Sequence, residues 1–201
     1  MPELTTPLAL LALTFLAGYL LGSVPFGLVW ARVFGLGDIR QIGSGNIGAT
    51  NVLRTGNKLA AFLTLVGDIG KGAAAVLVAR ALMSEDAAQA AGLGAYLGHL
   101  YPVYIGFKGG KGVATWLGTL AALAWPVGLA AAATWLLVAA LFRISSLAGL
   151  TAAALGPVWA LLLGRTDAVL IALLLGALIF QRHRANIGRL MRGEEPKIGR
   201  K

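Results

Sequence analysis

The residues with the plainest chemical potential are Phe107-Lys108-Gly109-Gly110-Lys111-Gly112-Val113-Ala114-Thr115, a short polar stretch between two long apolar runs. Three glycines bare backbone N–H groups, Lys108 and Lys111 supply positive charge, and Val113 opens a helix whose first N–H groups have no internal partner. That combination suits an anion, above all a phosphate. It is not a Walker loop, because no Gly-x-x-x-x-Gly-Lys-Ser/Thr string occurs and Thr115 follows Lys111 by four residues. A basic turn between two membrane helices would look similar, so the other loops must decide.

Two further stretches share this character. Gly43-Ser44-Gly45-Asn46-Ile47-Gly48-Ala49-Thr50-Asn51-Val52-Leu53-Arg54 offers N–H groups, hydroxyls, amides and a cation just before an apolar run, and Arg143-Ile144-Ser145-Ser146 does so before another. Each sits where a helix begins, so three positive dipole ends are collected with three polar loops. Two separate phosphate-bearing ligands become a natural expectation. After the last apolar run, Gln181-Arg182-His183-Arg184-Ala185-Asn186-Ile187-Gly188-Arg189-Leu190 places His183 and Asn186 at i, i+3, on one face of a continuing helix. The alternative there is a juxtamembrane basic helix attracting anionic lipid.

The elements that must position these loops are membrane helices. Of 201 residues, 58% are hydrophobic and 12% charged, against roughly one-quarter charged in soluble proteins. Mean hydropathy is +0.79. With no cysteine there is no disulfide framework, thiol nucleophile or thiolate metal site, and with two histidines a zinc centre is disfavoured; no metal or cofactor is called for. Lys+Arg exceed Asp+Glu by seventeen to eight, yet no basic surface interleaved with aromatics exists to read nucleic acid. The apolar run near the N-terminus lacks a basic leader and outlasts a signal peptide's core, which makes it a first span.

Seven spans are predicted, all α-helical, in one integral membrane domain over residues 1–201. They cover Pro7 to Trp30, Leu59 to Ala79, Ala87 to Phe107, Gly112 to Trp125, Pro126 to Phe142, Ile144 to Gly164, and Ala168 to Gln181. The uncharged run Gly112 to Phe142 would extend about 46 Å as one helix, too far for a core of about 30 Å, and Trp125-Pro126 is the natural place to divide it. An odd number of spans, with the N-terminus outside and the C-terminus cytoplasmic, puts fourteen of the seventeen basic residues on one face. Six spans would separate the basic loop 31–58 from the basic tail 181–201, against the positive-inside rule. The loops 31–58, 106–115 and 143–146 and the tail then meet on the cytoplasmic side. Gly18-x-x-x-Gly22 would let helices approach closely. His99 is either a packing residue or a site residue, and Asp68 with Lys71, one turn apart inside a span, either neutralise each other or hold the first loop.

Three strings carry a family resemblance: Gly43-Ser44-Gly45-Asn46-x-Gly48-Ala49-Thr50-Asn51-x-x-Arg54, Phe107 to Thr115, and Arg182-His183-x-x-Asn186-Ile187-x-x-Leu190-x-x-Gly193-x-Glu195. In order and spacing they resemble the signatures of the bacterial acyl-phosphate:glycerol-3-phosphate acyltransferases, the PlsY family. The resemblance implies a multi-pass enzyme of the bacterial inner membrane with its site at the cytoplasmic face. It implies transfer of a fatty acyl group from acyl phosphate to the sn-1 hydroxyl of glycerol 3-phosphate, giving lysophosphatidic acid, the first step of phospholipid synthesis. A soluble enzyme would supply acyl phosphate. It further implies that His183, Asn186, Ser146 and Arg54 carry the chemistry. Ser44, Gly45, Asn46, Thr50, Asn51, Lys108, Gly109, Gly110, Lys111, Gly112 and Ser145 are expected to bind substrate. Ser146 is preferred to Ser145 because Leu147 and Ala148 follow it, and Glu194 and Glu195 both stand where the family has its acid.

Rival readings belong to other classes. A coenzyme-A-dependent glycerolipid acyltransferase would carry His-x-x-x-x-Asp, but Tyr104 and Gly188 follow the two histidines at that spacing. A transporter of a phosphate-bearing anion or lipid would show an inverted repeat, and none is evident. A lipid-phosphate phosphatase would need an acid paired with its histidine.

Overall fold

The computed structural model describes residues 3–199, so Arg200 and Lys201 of the basic tail lie outside the described residues. Ten helices follow in order: α1 (Leu8–Gly22), α2 (Phe26–Val33), α3 (Ala49–Leu53), α4 (Lys58–Leu82), α5 (Glu85–Leu100), α6 (Val113–Leu123), α7 (Trp125–Phe142), α8 (Ser145–Leu162), α9 (Val169–Arg182) and α10 (Arg184–Met191). Short 3₁₀ turns lie at Ile39–Gln41, Val103–Ile105 and Thr166–Ala168, and no strand occurs among the described residues.

The apolar run at the N-terminus is one span in length but two helices in shape. Pro25 has no N–H to donate and disfavours helical geometry before it, so α1 stops and α2 restarts at Phe26. Leu8–Val33, Lys58–Leu82, Trp125–Phe142 and Ser145–Leu162 are each long and apolar enough to cross a membrane. Thr166–Arg182 with Arg184–Met191 makes a fifth candidate, bent by 65° at His183, where the sequence reading expected one continuing helix. α5 has 16 residues and α6 has 11. At 1.5 Å per residue α6 rises only about 16 Å, roughly half a hydrocarbon core.

Small residues close the bundle. Gly18 and Gly22 of α1 meet the backbone of Ala91 and Ala95, while Gly94 and Gly98 of α5 meet that of Phe15 and Tyr19; a Cβ at any of the four would overlap the facing carbonyl. The Gly18-x-x-x-Gly22 pattern is thus answered by a matching pair on its partner helix. In lipid, where apolar contact gives helices no preference for one another, this close approach is the main source of attraction. α4 and α6 touch in the same way, Gly118 against Ile69 and Gly72 against Thr115. Tyr96, Trp116, Leu120, Leu175 and Ile179 fill the centre, and the Tyr96 hydroxyl donates to the Leu175 carbonyl at 3.0 Å. Leu129, Leu136, Leu137 and Leu141 of α7 point outward, as a lipid-facing helix requires.

The ends of the bundle differ. At one, Arg80 and Arg165 donate to the carbonyls of Ala122 and Leu123, orphaned where α6 stops, and each also pairs with an acid, Glu85 and Asp167. At the other lie the polar loops.

Candidate active site

The first loop is folded around an amide. Asn51 is buried; its Nδ2 donates to the Ile39 carbonyl at 2.7 Å, and its Oδ1 accepts from the Ser44 N–H and from Arg54 Nη1, each at 3.1 Å. The Asn51 side chain is thus taken up by its own loop. What it presents is Arg54, laid over Gly43, where any side chain would collide with the guanidinium. Gly43 has φ 54° and Gly45 φ 66°, so this turn needs glycine twice. Asn46 accepts from the Gly48 N–H at 3.0 Å, a local turn that points the next residues toward α3. The Thr50 hydroxyl then lies 3.2 Å from that of Ser145, joining the first loop to the start of α8.

The second loop is held from both sides. The Gly110 N–H donates to the His99 carbonyl at 3.0 Å, and Arg182 donates to the carbonyls of Gly109 at 2.9 Å and Gly110 at 3.1 Å. Arg182 also lies over the Tyr101 ring, 5.4 Å from its centroid. With those carbonyls turned outward, Gly112 at φ 88° swings the chain into α6, whose first intrahelical donor is Trp116. No side chain caps that end, so the N–H groups of Val113, Ala114 and Thr115 keep the free donors the sequence predicts. Lys111 is partly buried here. Burial lowers its pKa to about 8; Glu195 pulls it up, while Arg189, Arg54 and Arg182 push it down. Lys108 is exposed, and its side chain makes no hydrogen bond among the described residues. Of the two lysines, Lys111 is the one beside the other site residues.

The tail brings the third group. His183 sits at the bend between α9 and α10, with Nδ1 2.8 Å from the Ile179 carbonyl, which assigns the proton to Nδ1 and leaves Nε2 as an acceptor. Its pKa falls to about 4, chiefly through burial, with Lys111 and Arg182 adding to the effect. Asn186 follows in the first turn of α10, also buried.

Beyond α10 the chain turns back over the site. Glu195 accepts from the Ser146 hydroxyl at 2.7 Å, from Asn186 Nδ2, and from Arg189 Nε at 2.7 Å. Burial alone would raise its pKa, but these three donors outweigh that and hold it below the usual carboxylate value. Glu194 pairs with Arg192 at the exposed surface. The structure thus separates the two acids, placing Glu195 in the site, and separates the two serines, with Ser146 on Glu195 and Ser145 on Thr50. Further along, Ile198 and Arg143 exchange two hydrogen bonds, so the tail is strapped to the loop that precedes α8.

Arg54, Arg182, Arg189 and Glu195 are all close enough to act on Lys111, so four cations and one carboxylate make an electropositive basin lined by hydroxyls, amides and free N–H groups. Arg182, although it stands in the third string, and Arg189 were not assigned to the site from the sequence. Arg189 could have been, since it lies one turn beyond Asn186 on the same face. Among the described residues no group of three or more His, Asp or Glu is arranged to hold a metal ion.

These features define a multi-helix protein of the membrane with an electropositive basin at one end of its bundle. The family profile described as glycerol-3-phosphate acyltransferase matches residues 12–193. A glycerol-3-phosphate acyltransferase of Jannaschia sp. (strain CCS1) is 66% identical over 99% of this chain and 98% of its own length. One of Cereibacter sphaeroides (strain ATCC 17025 / ATH 2.4.3) is 63% identical over 100% of this chain and 96% of its own. The crystal structure of PlsY (YgiH), an integral membrane glycerol 3-phosphate acyltransferase, in its glycerol 3-phosphate form matches with a TM-score of 0.88 at 40% identity, covering 94% of this chain and 96% of that one. Its lysophosphatidic acid form matches at 0.86. The chain belongs to the glycerol-3-phosphate acyltransferase family.

Proposed function

We propose that this protein transfers a fatty acyl group from acyl phosphate to the sn-1 hydroxyl of glycerol 3-phosphate, releasing lysophosphatidic acid and inorganic phosphate. The observation that carries this reading is the closeness of two phosphate-suited elements, the Arg54 loop and the free N–H groups of α6 with Lys111, to each other and to His183. Two phosphate-bearing substrates need two such elements. A mixed anhydride is already activated, so positioning and charge stabilisation suffice. The glycerol oxygen attacks the acyl carbon, the bond from that carbon to the phosphate oxygen breaks, and the departing phosphate takes the hydroxyl proton. Neutral His183, with Asn186 and Ser146, holds the acyl phosphate in line for attack, and the cations stabilise the phosphate that leaves.

In the same reading the chain spans the bacterial inner membrane seven times, with α5 and α6 as the shorter crossings and the N-terminus outside. Fourteen of seventeen basic residues then face the cytoplasm, where a soluble enzyme delivers acyl phosphate. Reporters fused after Ser84 and after Gly199 should label opposite faces. Purified protein should form lysophosphatidic acid from glycerol 3-phosphate with acyl phosphate and not with acyl-coenzyme A; product from acyl-coenzyme A at a comparable rate refutes the donor assignment, and no product from either refutes the reaction.

A further inference from the structure

Beneath the second loop lies a group of charges that the site as described leaves unused. Asp68, Lys71 and His99 are nearly excluded from solvent, at 2%, 3% and 4% exposure. Lys71 Nζ is 2.8 Å from Asp68 Oδ1, and His99 Nδ1 is 3.4 Å from the same oxygen. Lys71 also donates to the Val24 carbonyl at 2.9 Å, an acceptor freed from the helical ladder by the break at Pro25. On its other side, His99 gives its carbonyl to the Gly110 N–H at 3.0 Å. Its ring lies so close under Gly110 that any side chain there would overlap Nε2. A continuous run of contacts thus leads from Val24 through Lys71, Asp68 and His99 to the loop that Arg182 grips from above.

Such a group is not explained by stability. Ionised side chains inside a membrane bundle are costly and mark functional places, and a buried ion pair is often matched or bettered by apolar residues of similar volume. Asp68 stands ten residues into α4, about 15 Å from its start, where little water is present to steady a loop. Gly109 and Gly110 have no side chains of their own to fix their geometry, so the conformation that offers both carbonyls to Arg182 and the Gly110 N–H to His99 must be imposed from outside. His99 imposes it from below. Asp68 orients His99, and Lys71 anchors Asp68 to the broken first helix pair.

We propose that Asp68, Lys71 and His99 are positioning residues that preset the second loop for phosphate and tie it to the break between α1 and α2, an assignment that rests on that loop being a phosphate site. The test compares Lys111→Ala, Asp68→Asn, His99→Gln and the double variant Asp68→Leu/Lys71→Met, measuring Tm, kcat and the KM for each substrate. Lys111→Ala identifies the substrate whose phosphate the loop holds, by raising its KM. The network variants should raise the KM of that same substrate about tenfold or more while leaving the other KM within about twofold, as loss of preorganisation predicts. The double variant, having exchanged ions for apolar bulk, should do so with a Tm near that of the parent. Unchanged KM values, or both rising together with a fall in Tm, overturn the positioning role. If the double variant does not fold, Asp68→Asn and His99→Gln carry the same comparison. If Lys111→Ala raises neither KM, the loop's phosphate reading falls and the positioning role with it; a KM raised by Lys111→Ala but untouched by the network variants removes the positioning role alone.

Discussion

Lys111 offers a quantity that can be read without turnover. Burial has lowered its pKa from 10.5 to about 8, with Glu195 working against the shift and Arg189, Arg54 and Arg182 with it. A lysine held below its unfolded value costs the fold stability while protonated, a cost fully present below about pH 8 and relieved as the pH climbs toward 10.5. A phosphate dianion beside the ammonium reverses the imbalance and drives the pKa back up. Binding must then draw protons from the buffer: about 0.1 at pH 7, about 0.5 at pH 8 and about 0.9 at pH 9, from the fraction of Lys111 left deprotonated in the free protein. A phosphate monoester has its second pKa near 6, so the ligand adds little to this uptake above pH 8. Calorimetric titration in two buffers of different ionisation enthalpy gives the proton count directly. Glycerol 3-phosphate and a long-chain alkyl phosphate should be titrated in parallel, because whichever occupies the second loop will show the uptake. Lys111→Arg supplies the control, since a guanidinium stays protonated throughout and should bind without uptake. Uptake below about 0.1 proton for both ligands from pH 7 to 9, or equal uptake in Lys111→Arg, refutes the placement of Lys111 against a substrate phosphate.

Three other outcomes follow from the geometry. His183, with a pKa near about 4, stays neutral from pH 5 to 8, so His183→Gln should raise the KM for the acyl donor yet leave the shape of the pH–rate profile intact; an acidic limb seen only in the parent would make it a general base. Arg54→Ala and Lys111→Ala should each lower kcat/KM by about 10- to 150-fold, the worth of a charge-assisted hydrogen bond, while exposed Lys108 should tolerate alanine within about threefold; equal losses at Lys108 and Lys111 would contradict the structure. Glu195, held below the unfolded 4.5, contributes stability that is present above that value and lost as the pH falls through its folded pKa, so Glu195→Gln should have a Tm less sensitive to acid between pH 5 and 3 than the parent, and identical slopes would count against the Glu195 cluster.

How much of this was legible beforehand depended on the range over which each feature is fixed. The free donors at α6 are a local matter: glycines, a lysine and an apolar run in one string determine them, and they lie where the string places them. Asn51 shows the opposite case. A sequence cannot distinguish an amide offered to a ligand from one satisfied by its own loop, and only the fold reveals that Ile39, Ser44 and Arg54 occupy it. The choice between Glu194 and Glu195 turned on where the tail goes after α10, and the bend at His183 that sends it back over Ser146 has no proline or glycine to announce it. The break at Pro25 had such a signal, but apolar length hid it, because a hydropathy count registers the run and not its ladder of hydrogen bonds.

The short α6 joins these features. Its 11 residues and the termination of α5 at Leu100 draw the second loop inward along the bundle, so the glycine backbone sits at the depth of Asp68 rather than level with the start of α4. A loop at that depth lacks bulk water to satisfy its polar backbone, which accounts for Arg182 reaching across from α9 to cover two carbonyls and for the Gly110 N–H donating to the His99 carbonyl. In the proposed reaction one substrate carries a long alkyl chain and the other is a small polar ester, and the two can meet only where an anion site is reachable from the lipid on one side and from water on the other. In that reaction the sunken loop and the glycine-rich turn around Arg54 would share these two accesses, and the proton uptake at Lys111 tells which substrate takes which.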